Sequence, residues 1–452
     1  MSIELGKRCE GLNGYYLALR WNLVDEEDVG MRIAICGAGT VGSGVAEILL
    51  KNQELIKART GTAVTIEVVA SRSEPKADAF AGIPFTTDVV SVCHRTDVDV
   101  VVELMGGTND AKRLVETALS AGKSVVTANK ALIAEFGEGL FALAAKNDVQ
   151  LRFEAAVAGS IPIIKVVQES LAGNQINWLA GIINGTANFI LTKMGAEGSR
   201  QAFAEVLAEA QALGYAEADP TFDIEGIDAA HKLAILGGVA FDQAIRFDEI
   251  SVAGITRVES SDFAMAKTLG YRIKHLGIAQ RFETELELFV GPCLIPEHSP
   301  LASIDGVLNG VLVKSDAAGE TLCTGPGAGA LPTGSAVVSD LIDLVRGGQA
   351  MSLTNRRSNI AELQVLPQGR IHSAFYLKMI VMDEPGVIAA LTAILARRGV
   401  SLDKIFQQNL TEGQSMVVLI TDHIQQSELD VAIDELEDHA AVTSGIQKMR
   451  VF

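Results

Sequence analysis

The stretch that decides how this chain begins to fold is Met31-Arg-Ile-Ala-Ile-Cys36, followed at once by Gly37-Ala-Gly39-Thr-Val-Gly42-Ser-Gly44. Its first six residues form a short apolar run typical of a buried strand, and the residues after Gly44 are typical of a helix. In such a unit, successive glycines permit the turn, let the backbone approach a pyrophosphate, and allow close packing of helix on strand. The pattern predicts a dinucleotide site, with a tight turn that binds nothing as the alternative. The residues predicted to bind the cofactor are Gly37, Ala38, Gly39, Thr40, Val41 and Gly42.

Further apolar runs extend this unit into a parallel sheet. Strands are predicted over residues 64–70, 99–104 and 124–128, and helices over residues 111–120 and 139–146. Alternating strands and helices are typical of an α/β fold, here a Rossmann-type doubly wound parallel sheet over residues 31–150.

Arg72 follows the second predicted strand, where a site selective for NAD usually carries an acid for the ribose 2′-hydroxyl. An arginine at this place accommodates a 2′-phosphate instead. The sequence therefore favours NADP(H), while NAD(H) remains possible.

The second informative stretch is Gly214-Tyr-Ala-Glu217-Ala-Asp-Pro-Thr-Phe-Asp223-Ile-Glu-Gly-Ile-Asp228-Ala-Ala-His-Lys232, with five carboxylates and one lysine. A helix starting near Gly226 places Asp228 and Lys232 four residues apart on one face, where the two side chains can touch. An exposed salt bridge is the ordinary explanation of such a pair. Apolar neighbours on both sides instead predict a partly desolvated lysine that can act as a proton donor.

Together with Thr127-Ala-Asn-Lys130 at a predicted strand end, this stretch resembles the catalytic segment of homoserine dehydrogenases, and the likeness covers nearly all of residues 31–452. The resemblance implies NAD(P)-dependent interconversion of L-homoserine and L-aspartate 4-semialdehyde by hydride transfer, in threonine, methionine and isoleucine biosynthesis. It implies that Lys232 is the general acid/base, that Asp228 contacts the substrate hydroxyl and Lys232, and that Lys130 reaches the active site. The implied substrate-binding residues are Glu217, Asp223, Asp228, Tyr215 and Thr186, and the implied further cofactor contacts are Lys130, Gly214 and Gly329.

Two other functions compete with this interpretation. A phosphate-dependent aspartate-semialdehyde dehydrogenase needs a thiolate nucleophile, and no cysteine in the sequence stands in an activating setting. A non-catalytic sensor of nucleotide and amino acid would keep the glycine motif but need no catalytic lysine.

Residues 151–324 are predicted to form an α+β domain for substrate binding and dimerisation, with strands that include residues 251–256. Its sheet can serve an oligomer interface, so we expect a homodimer or homotetramer. The glycine loop Gly325-Pro-Gly-Ala-Gly329 precedes a helix predicted over residues 333–345 with a Thr or Ser cap. The resemblance implies that the chain returns to the cofactor domain over residues 325–346.

The run Phe153-Glu-Ala-Ala-Val-Ala-Gly-Ser-Ile-Pro162 offers one carboxylate and a backbone of small residues. Such oxygen ligands suit a hard monovalent cation better than a transition metal. From the residues alone it is a loop before a helix. The resemblance implies a sodium site formed by Glu154 and the carbonyls of Val157, Gly159 and Ile161.

The last 82 residues, 371–452, follow a predicted linker at residues 347–370 and show the order βαββαβ. Asp383-Glu-Pro-Gly386 stands before the first helix of this module, which resembles an ACT domain with a ferredoxin-like fold. The resemblance implies an amino-acid effector near Asp383, Gly386 and Val387, and we expect L-threonine. A purely dimerising module is the alternative.

The amino-acid composition limits which binding partners and which cellular compartment we expect for this protein. The chain has 37 basic and 56 acidic residues, a net charge of −19, so nucleic acid and anionic membranes are poor partners. Five scattered cysteines without paired spacing are typical of free thiols in a reducing cytoplasm. No apolar run reaches the length of a membrane span, and we expect a cytoplasmic protein.

Residues 1–30 lack a clear hydrophobic period and end in acidic residues just before the first predicted strand. We interpret Met31 as the natural start, with a disordered native extension as the alternative. N-terminal sequencing of the native protein decides between them, and a mature terminus at Ser2 would rule out a start at Met31.

Overall fold

The computed structural model describes residues 30–199, 201–348, 362–411 and 413–452. The predicted N-terminal extension up to residue 29 and residues 349–361 of the predicted linker lie outside the described residues.

The first domain is a six-stranded parallel sheet in the order β3-β2-β1-β4-β5-β6, which confirms the doubly wound prediction. Its central strands carry Val and Ile on both faces and are almost wholly buried, because helices cover both sides of the sheet. Its strands are β1 (Met31–Cys36), β2 (Val64–Ala70), β3 (Phe85–Thr86), β4 (Val100–Glu103), β5 (Ser124–Thr127) and β6 (Leu151–Arg152). Its helices are α1 (Thr40–Lys51), α2 (Gln53–Thr60), α3 (Asn109–Ser120) and α4 (Lys130–Lys146).

The second domain places helices against one face of a mixed sheet built on the long hairpin of β9 and β10. Its helices are α5 (Ile163–Lys165, continued by a π-helix at Val166–Ser170), α6 (Gly185–Met194), α7 (Phe203–Ala212), α8 (Thr221–Ile224), α9 (Ile227–Phe241) and α10 (Ser260–Thr268). Its strands are β7 (Ile176–Ile182), β8 (Ser251–Val252), β9 (Tyr271–Phe282), β10 (Glu285–Pro296), β11 (Leu308–Ser315) and β12 (Gly319–Pro326).

Helix α11 (Ala330–Val345) returns to the first domain and packs along α1. The two helices approach closely through glycine, since a Cβ atom on Gly44 would lie 2.1 Å from the carbonyl oxygen of Ala330. Gly44 therefore serves helix packing, as a glycine in this motif can.

The C-terminal module contains β14 (His372–Met382), α12 (Val387–Arg397), β15 (Leu402–Thr411), β16 (Gln414–Thr421), the short strand β17 (Ile424–Gln425), α13 (Gln426–Glu437) and β18 (Gln447–Val451). Before it, β13 (Gln364–Val365) pairs with β10, so the described end of the predicted linker is held on the second domain. Strand β18 also pairs with β10, and one sheet runs in the order β12-β11-β7-β9-β10-β18-β14-β16-β15. The module is thus continuous with the second domain.

Polar contacts reinforce that junction. The buried guanidinium of Arg450 pairs with the buried carboxylate of Glu287, and the Tyr376 hydroxyl donates to Asp262 at 2.9 Å. Lys378, also buried, pairs with Asp262 at 2.8 Å. Removing either partner of such a pair leaves a buried polar group unsatisfied, so these contacts fix the docking of the module.

Three sequence-based boundaries are wrong. The helix predicted over 139–146 begins at Lys130, because the Asn129 side chain caps it by accepting the N–H of Leu132. The helix predicted over 333–345 begins at Ala330 after Gly329, whose φ of 126° supplies the turn without a Thr or Ser cap. The strand predicted over 251–256 is only Ser251–Val252.

No helix in the described parts of the chain is both long and apolar enough to cross a membrane.

Candidate active site

The start of helix α9 positions the predicted acid and base. Gly226 precedes it with φ of 82°, a backbone conformation that strains any other residue, and a Cβ there would lie only 3.1 Å from Val252 and 3.2 Å from His275. The helix then directs Asp228 and Lys232 toward the carboxyl edge of the first domain's sheet. Lys232 Nζ lies 2.6 Å from Asp228 Oδ2, which confirms that the two side chains touch.

Lys130, from the end of β5 and the start of α4, reaches the same carboxylate. Its Nζ lies 2.8 Å from Asp228 Oδ1, so each oxygen of one buried carboxylate binds a lysine. Lys232 also donates to the carbonyl oxygen of Ile183 at 2.8 Å. We call Asp228, Lys130 and Lys232 the lysine–aspartate cluster.

The side-chain amide of Asn184 joins a second acid to this cluster. Its Nδ2 donates to Asp228 Oδ2 and to Asp223 Oδ1, each at 2.8 Å. Its Oδ1 accepts the N–H of Ala187 at 2.7 Å and so caps α6. The sequence analysis assigned Thr186 of this helix start to the substrate but gave the Asn184 amide no role, although an asparagine before a helix is a recognisable N-cap signal.

Burial and neighbouring charges shift the pKa values of Asp228 and Asp223 in opposite directions. Burial alone would raise the pKa of Asp228, but the adjacent ammonium groups of Lys232 and Lys130 outweigh it and hold that pKa well below its usual range. Burial raises the pKa of Asp223, and the charge of Asp228 adds to the increase. The cluster is therefore a charged anchor beside a less acidic carboxyl.

The substrate-side candidates lie around the loop between α7 and α9. Thr186 Oγ1 donates to the carbonyl of Tyr215 at 2.7 Å, and the ring of Tyr215 stands edge-on to Phe189. Glu217 is exposed, and its carbonyl accepts from Gln211 at 3.0 Å. Gly214, with φ of 75°, forms the turn that ends α7. Thr186 and Tyr215 are thus brought together, while Glu217 lies on the open side of the loop.

An aromatic wall, which sequence reasoning did not identify, flanks Lys130. The ammonium of Lys130 lies 5.6 Å from the ring centroid of Phe222, and the His231 ring stands between Phe222 and Phe247 at 5.5 and 4.8 Å. These rings give the cluster an apolar side, of which Phe222 and Phe247 are themselves exposed to solvent.

The glycine turn opens into a cavity of about 690 Å³ at the carboxyl edge of the sheet. A Cβ on Gly37 would lie 2.4 Å from the Leu104 carbonyl oxygen, and one on Gly42 would lie 2.0 Å from the Gly37 carbonyl oxygen. Thr40, Val41 and Gly42 form the first turn of α1, whose free N–H groups favour an anion. The candidate cofactor residues that line the cavity are Gly37, Ala38, Gly39 and Arg72.

The predicted cation loop contains a buried carboxylate that is already bonded. Both oxygens of Glu154 accept backbone N–H groups, from Ile164 and Lys165, at 2.9 Å. Burial, with the nearby charge of Asp340, raises the pKa of Glu154 to about 8. Val157 and Ile161 are buried in the same loop, and Gly159 (φ 57°) packs so tightly on Gly327 that a Cβ would lie 2.5 Å from it.

In the C-terminal module, the predicted effector residues form the turn before α12. Asp383 and Gly386 are exposed, and Gly386 adopts φ of 95°. The N–H of Asp383 donates to the Gly413 carbonyl at 2.9 Å, which ties the turn to the β15–β16 hairpin. Val387 is buried below it.

The described cysteines are free thiols. Burial raises the pKa of each of them, to about 11 for Cys93 and further for Cys36 and Cys293. A thiolate nucleophile of the kind that an aspartate-semialdehyde dehydrogenase needs is therefore disfavoured at each of these positions.

Comparison with known proteins shows which families the chain matches. Residues 37–154 match the family model "Homoserine dehydrogenase, NAD binding domain", residues 162–342 match "Homoserine dehydrogenase", and residues 375–441 match "ACT domain". Homoserine dehydrogenase of Pseudomonas aeruginosa is 46% identical over 430 residues, which cover 93% of this chain and 98% of the relative.

Solved structures match as well. A homoserine dehydrogenase from Thiobacillus denitrificans has a TM-score of 0.87 and 44% identity, with 94% of this chain and 98% of that chain covered. A hyperthermophilic archaeal homoserine dehydrogenase in complex with NADPH has a TM-score of 0.61 and 27% identity, with 71% of this chain and 99% of that chain covered.

Proposed function

Because the chain belongs to the homoserine dehydrogenase family, we propose that its lysine–aspartate cluster performs the proton transfer of that reaction. The chain is an oxidoreductase that acts on a CH–OH group with NAD(P), converting L-homoserine and NAD(P)⁺ to L-aspartate 4-semialdehyde, NAD(P)H and a proton. The observation that carries the residue assignment is one buried carboxylate holding two ammonium groups at 2.6 and 2.8 Å.

In the direction of reduction, Lys232 Nζ donates a proton to the aldehyde oxygen, directly or through one water, and in oxidation it accepts the hydroxyl proton. Asp228 orients Lys232 and contacts the substrate hydroxyl. Lys130 adds positive charge where the oxygen becomes negative. A bound nicotinamide nucleotide supplies or accepts the hydride.

The amino-acid part of the substrate is assigned to the loop before α9. Glu217 and Asp223 offer carboxylates to the substrate ammonium, while Thr186 and Tyr215 line the same side. The link from Asn184 to both Asp223 and Asp228 supports a fixed distance between the ammonium end and the reacting end of the substrate.

Reduction of NADP⁺ by the purified full chain tests the function. L-homoserine should drive the reaction, without a need for phosphate and without loss after thiol alkylation. Phosphate-dependent turnover of the semialdehyde that alkylation abolishes would favour the rival enzyme, and absence of any turnover would favour a sensor.

We further propose that NADP(H) is preferred over NAD(H), because the exposed guanidinium of Arg72 lines the nucleotide cavity. In Arg72→Ala, the dissociation constant of NADPH is expected to rise about tenfold, the order expected for a lost charge-assisted hydrogen bond. The dissociation constant of NADH should change little. Fluorescence titration with each nucleotide measures both, and an equal loss for NADPH and NADH would contradict the role of Arg72.

A monovalent cation, Na⁺, is proposed at Glu154 with the carbonyls of Val157, Gly159 and Ile161. One buried atom supports the fit: Asp340 Oδ2 accepts the N–H of Glu154 at 2.9 Å, whereas Asp340 Oδ1 has no hydrogen-bond partner among the described residues. An unpaired buried carboxylate oxygen next to a loop of small residues suits a hard cation. The described residues contain no cluster of three His, Cys, Asp or Glu for a transition metal.

If this cation binds, NaCl should raise the midpoint of thermal unfolding by about 2 °C or more over choline chloride of equal ionic strength. The difference should vanish in Glu154→Gln and persist in Glu169→Gln, an exposed acid of the following helix. Equal midpoints in the two salts for the wild type would contradict the site.

L-threonine is proposed as the effector at Asp383, Gly386 and Val387, with the exposed glycine turn as the supporting feature. Asp383→Ala should raise the threonine concentration for half-maximal response about tenfold or more, because an ammonium loses its carboxylate partner. Asp438→Ala, which changes an exposed acid at the end of α13, is the matched control.

The experiment needs the full chain, because β18 of the C-terminal module is part of the sheet of the second domain. No change in rate or thermal midpoint with threonine would exclude it as effector.

Assembly as a homodimer or homotetramer and a cytoplasmic location remain proposals. Free thiols at the described cysteines are compatible with a reducing compartment. Light scattering from the purified chain determines the oligomeric state.

A further inference from the structure

Glu103 is a buried acid that the chemistry above does not use. It ends strand β4, its side chain is fully buried, and burial raises its pKa to about 7. Burying an acid at the end of an otherwise apolar parallel strand costs free energy unless the acid is hydrogen-bonded. The hydrogen-bond partners of Glu103 therefore indicate its role.

The first partner lies on the nucleotide side. Glu103 Oε1 accepts the N–H of Met105 at 2.8 Å, and Met105 lines the nucleotide cavity with Leu104 and Gly106. The N–H of Leu104 in turn donates to the Cys36 carbonyl at 2.8 Å, next to the glycine turn. One oxygen of Glu103 therefore fixes the loop of residues 104–107, which we call the cavity loop.

The second partner lies on the substrate side. Glu103 Oε2 accepts from the Thr127 hydroxyl at 2.5 Å, and that hydroxyl accepts the N–H of Asn129 at 3.0 Å. Asn129 caps helix α4, whose first residue is Lys130. The other oxygen thus fixes the backbone from which Lys130 reaches Asp228.

Asn129 closes the network by donating from Nδ2 to the Gly107 carbonyl at 2.8 Å. The cavity loop and the start of α4 are therefore joined twice, once through Glu103 and Thr127 and once through Asn129 and Gly107.

We propose that Glu103 is a positioning residue that holds the cavity loop and Lys130 in one arrangement, so that the nicotinamide ring and the substrate meet at a fixed distance. This inference rests on the proposed roles of the nucleotide cavity and Lys130. Because small displacements in a reacting complex are costly, losing this link should slow hydride transfer more than it weakens nucleotide binding.

The test compares the wild type with Glu103→Gln and Thr127→Val in the full chain. Each variant should lower kcat about tenfold or more, with the NADPH dissociation constant within about threefold of the wild type, since the glycine turn and Arg72 are untouched. The primary isotope effect with NADPH deuterated at the transferred position should rise, and the emission of bound NADPH should change. The double variant should lose less than the product of the single losses, because both changes break one network.

Glu287→Gln is the matched control, since Glu287 is an equally buried carboxylate that pairs with Arg450 away from the cavity. It should lower thermal stability without altering the isotope effect or the NADPH emission. Unchanged emission and isotope effect in both Glu103→Gln and Thr127→Val, or losses that multiply fully, would overturn the proposal. NADPH emission needs no turnover, so an inactive wild type would count against the proposed function and leave this test intact.

Discussion

Lys232→Ala is expected to lower kcat by two decades or more in both directions of the reaction, while the dissociation constant of NADPH stays near that of the wild type. The loss follows from removing the group that donates and accepts the proton, an effect of about 100-fold to 10,000-fold in general acid/base catalysis. NADPH binding should survive because the nucleotide cavity is lined by the glycine turn and by Arg72. Stopped-flow absorbance and fluorescence titration measure the two quantities.

Two further variants separate proton transfer from charge. Lys232→Arg keeps the positive charge beside Asp228 but cannot readily give up a proton, so it should remain slow. Lys267→Ala removes an exposed lysine that pairs with Glu197 and should behave as the wild type. Near-normal turnover in Lys232→Ala would remove this lysine from the mechanism.

Asp228→Asn is expected to lower kcat/KM for L-homoserine about 1,000-fold and to destabilise the protein. The variant leaves the ammonium of Lys232, whose side chain is only 12% exposed, without its charged partner, and it turns an amide N–H toward that ammonium or toward Asn184. Breaking a buried pair by removing one partner costs about 3–5 kcal/mol. We expect a loss of stability at the lower end of this range, because the side chain of Lys130 is 34% exposed and water can solvate it. Steady-state kinetics and urea unfolding check both effects.

The sign of the pH dependence follows from the lowered pKa of Asp228. A carboxylate with a lowered folded-state pKa contributes stability that is complete above its unfolded pKa, about 3.9, and is lost as the pH falls through the folded value. The wild type and Asp228→Asn should thus differ at neutral pH and converge only in strong acid. Asp438→Asn, an exposed acid at the end of α13 in the C-terminal module, should show neither effect. An Asp228→Asn protein with wild-type kcat/KM would mean that the cluster is only structural.

The first domain was readable from sequence because its signals are local. The apolar run at Met31–Cys36 and the glycines after it specify a strand, a turn and a helix within one short segment. The observed strand order is the one typical of such a doubly wound sheet. The contact between Asp228 and Lys232 was readable for the same reason, since helix geometry alone brings residues four apart together.

The features that the sequence did not predict depend on contacts between segments that are far apart in the chain. Lys130 and Asp228 lie 98 positions apart in the sequence. Only the family resemblance indicated that Lys130 reaches the active site. The bonds of Asn184 and the network around Glu103 require knowing which strand ends share an edge. The early start of α4 was missed because the capping role of Asn129 competes with an equally plausible turn.

The junction of the C-terminal module shows a further limit. The order of strands and helices inside the module was predicted from the sequence. The pairing of β18 with β10 was not predicted, because neither strand carries a local sequence signal for its partner. The buried pair of Arg450 and Glu287 gives no local signal either, because the residues are 163 positions apart.

The central claim is that the ammonium of Lys232 acts on the substrate oxygen. A crystal structure of the full chain with NADP⁺ and L-homoserine tests it most directly. The account predicts Lys232 Nζ within about 3 Å of the homoserine hydroxyl, or one water away, with the nicotinamide ring on the opposite side of that carbon. A hydroxyl bound elsewhere, with Lys232 still held only by Asp228 and the Ile183 carbonyl, would contradict it.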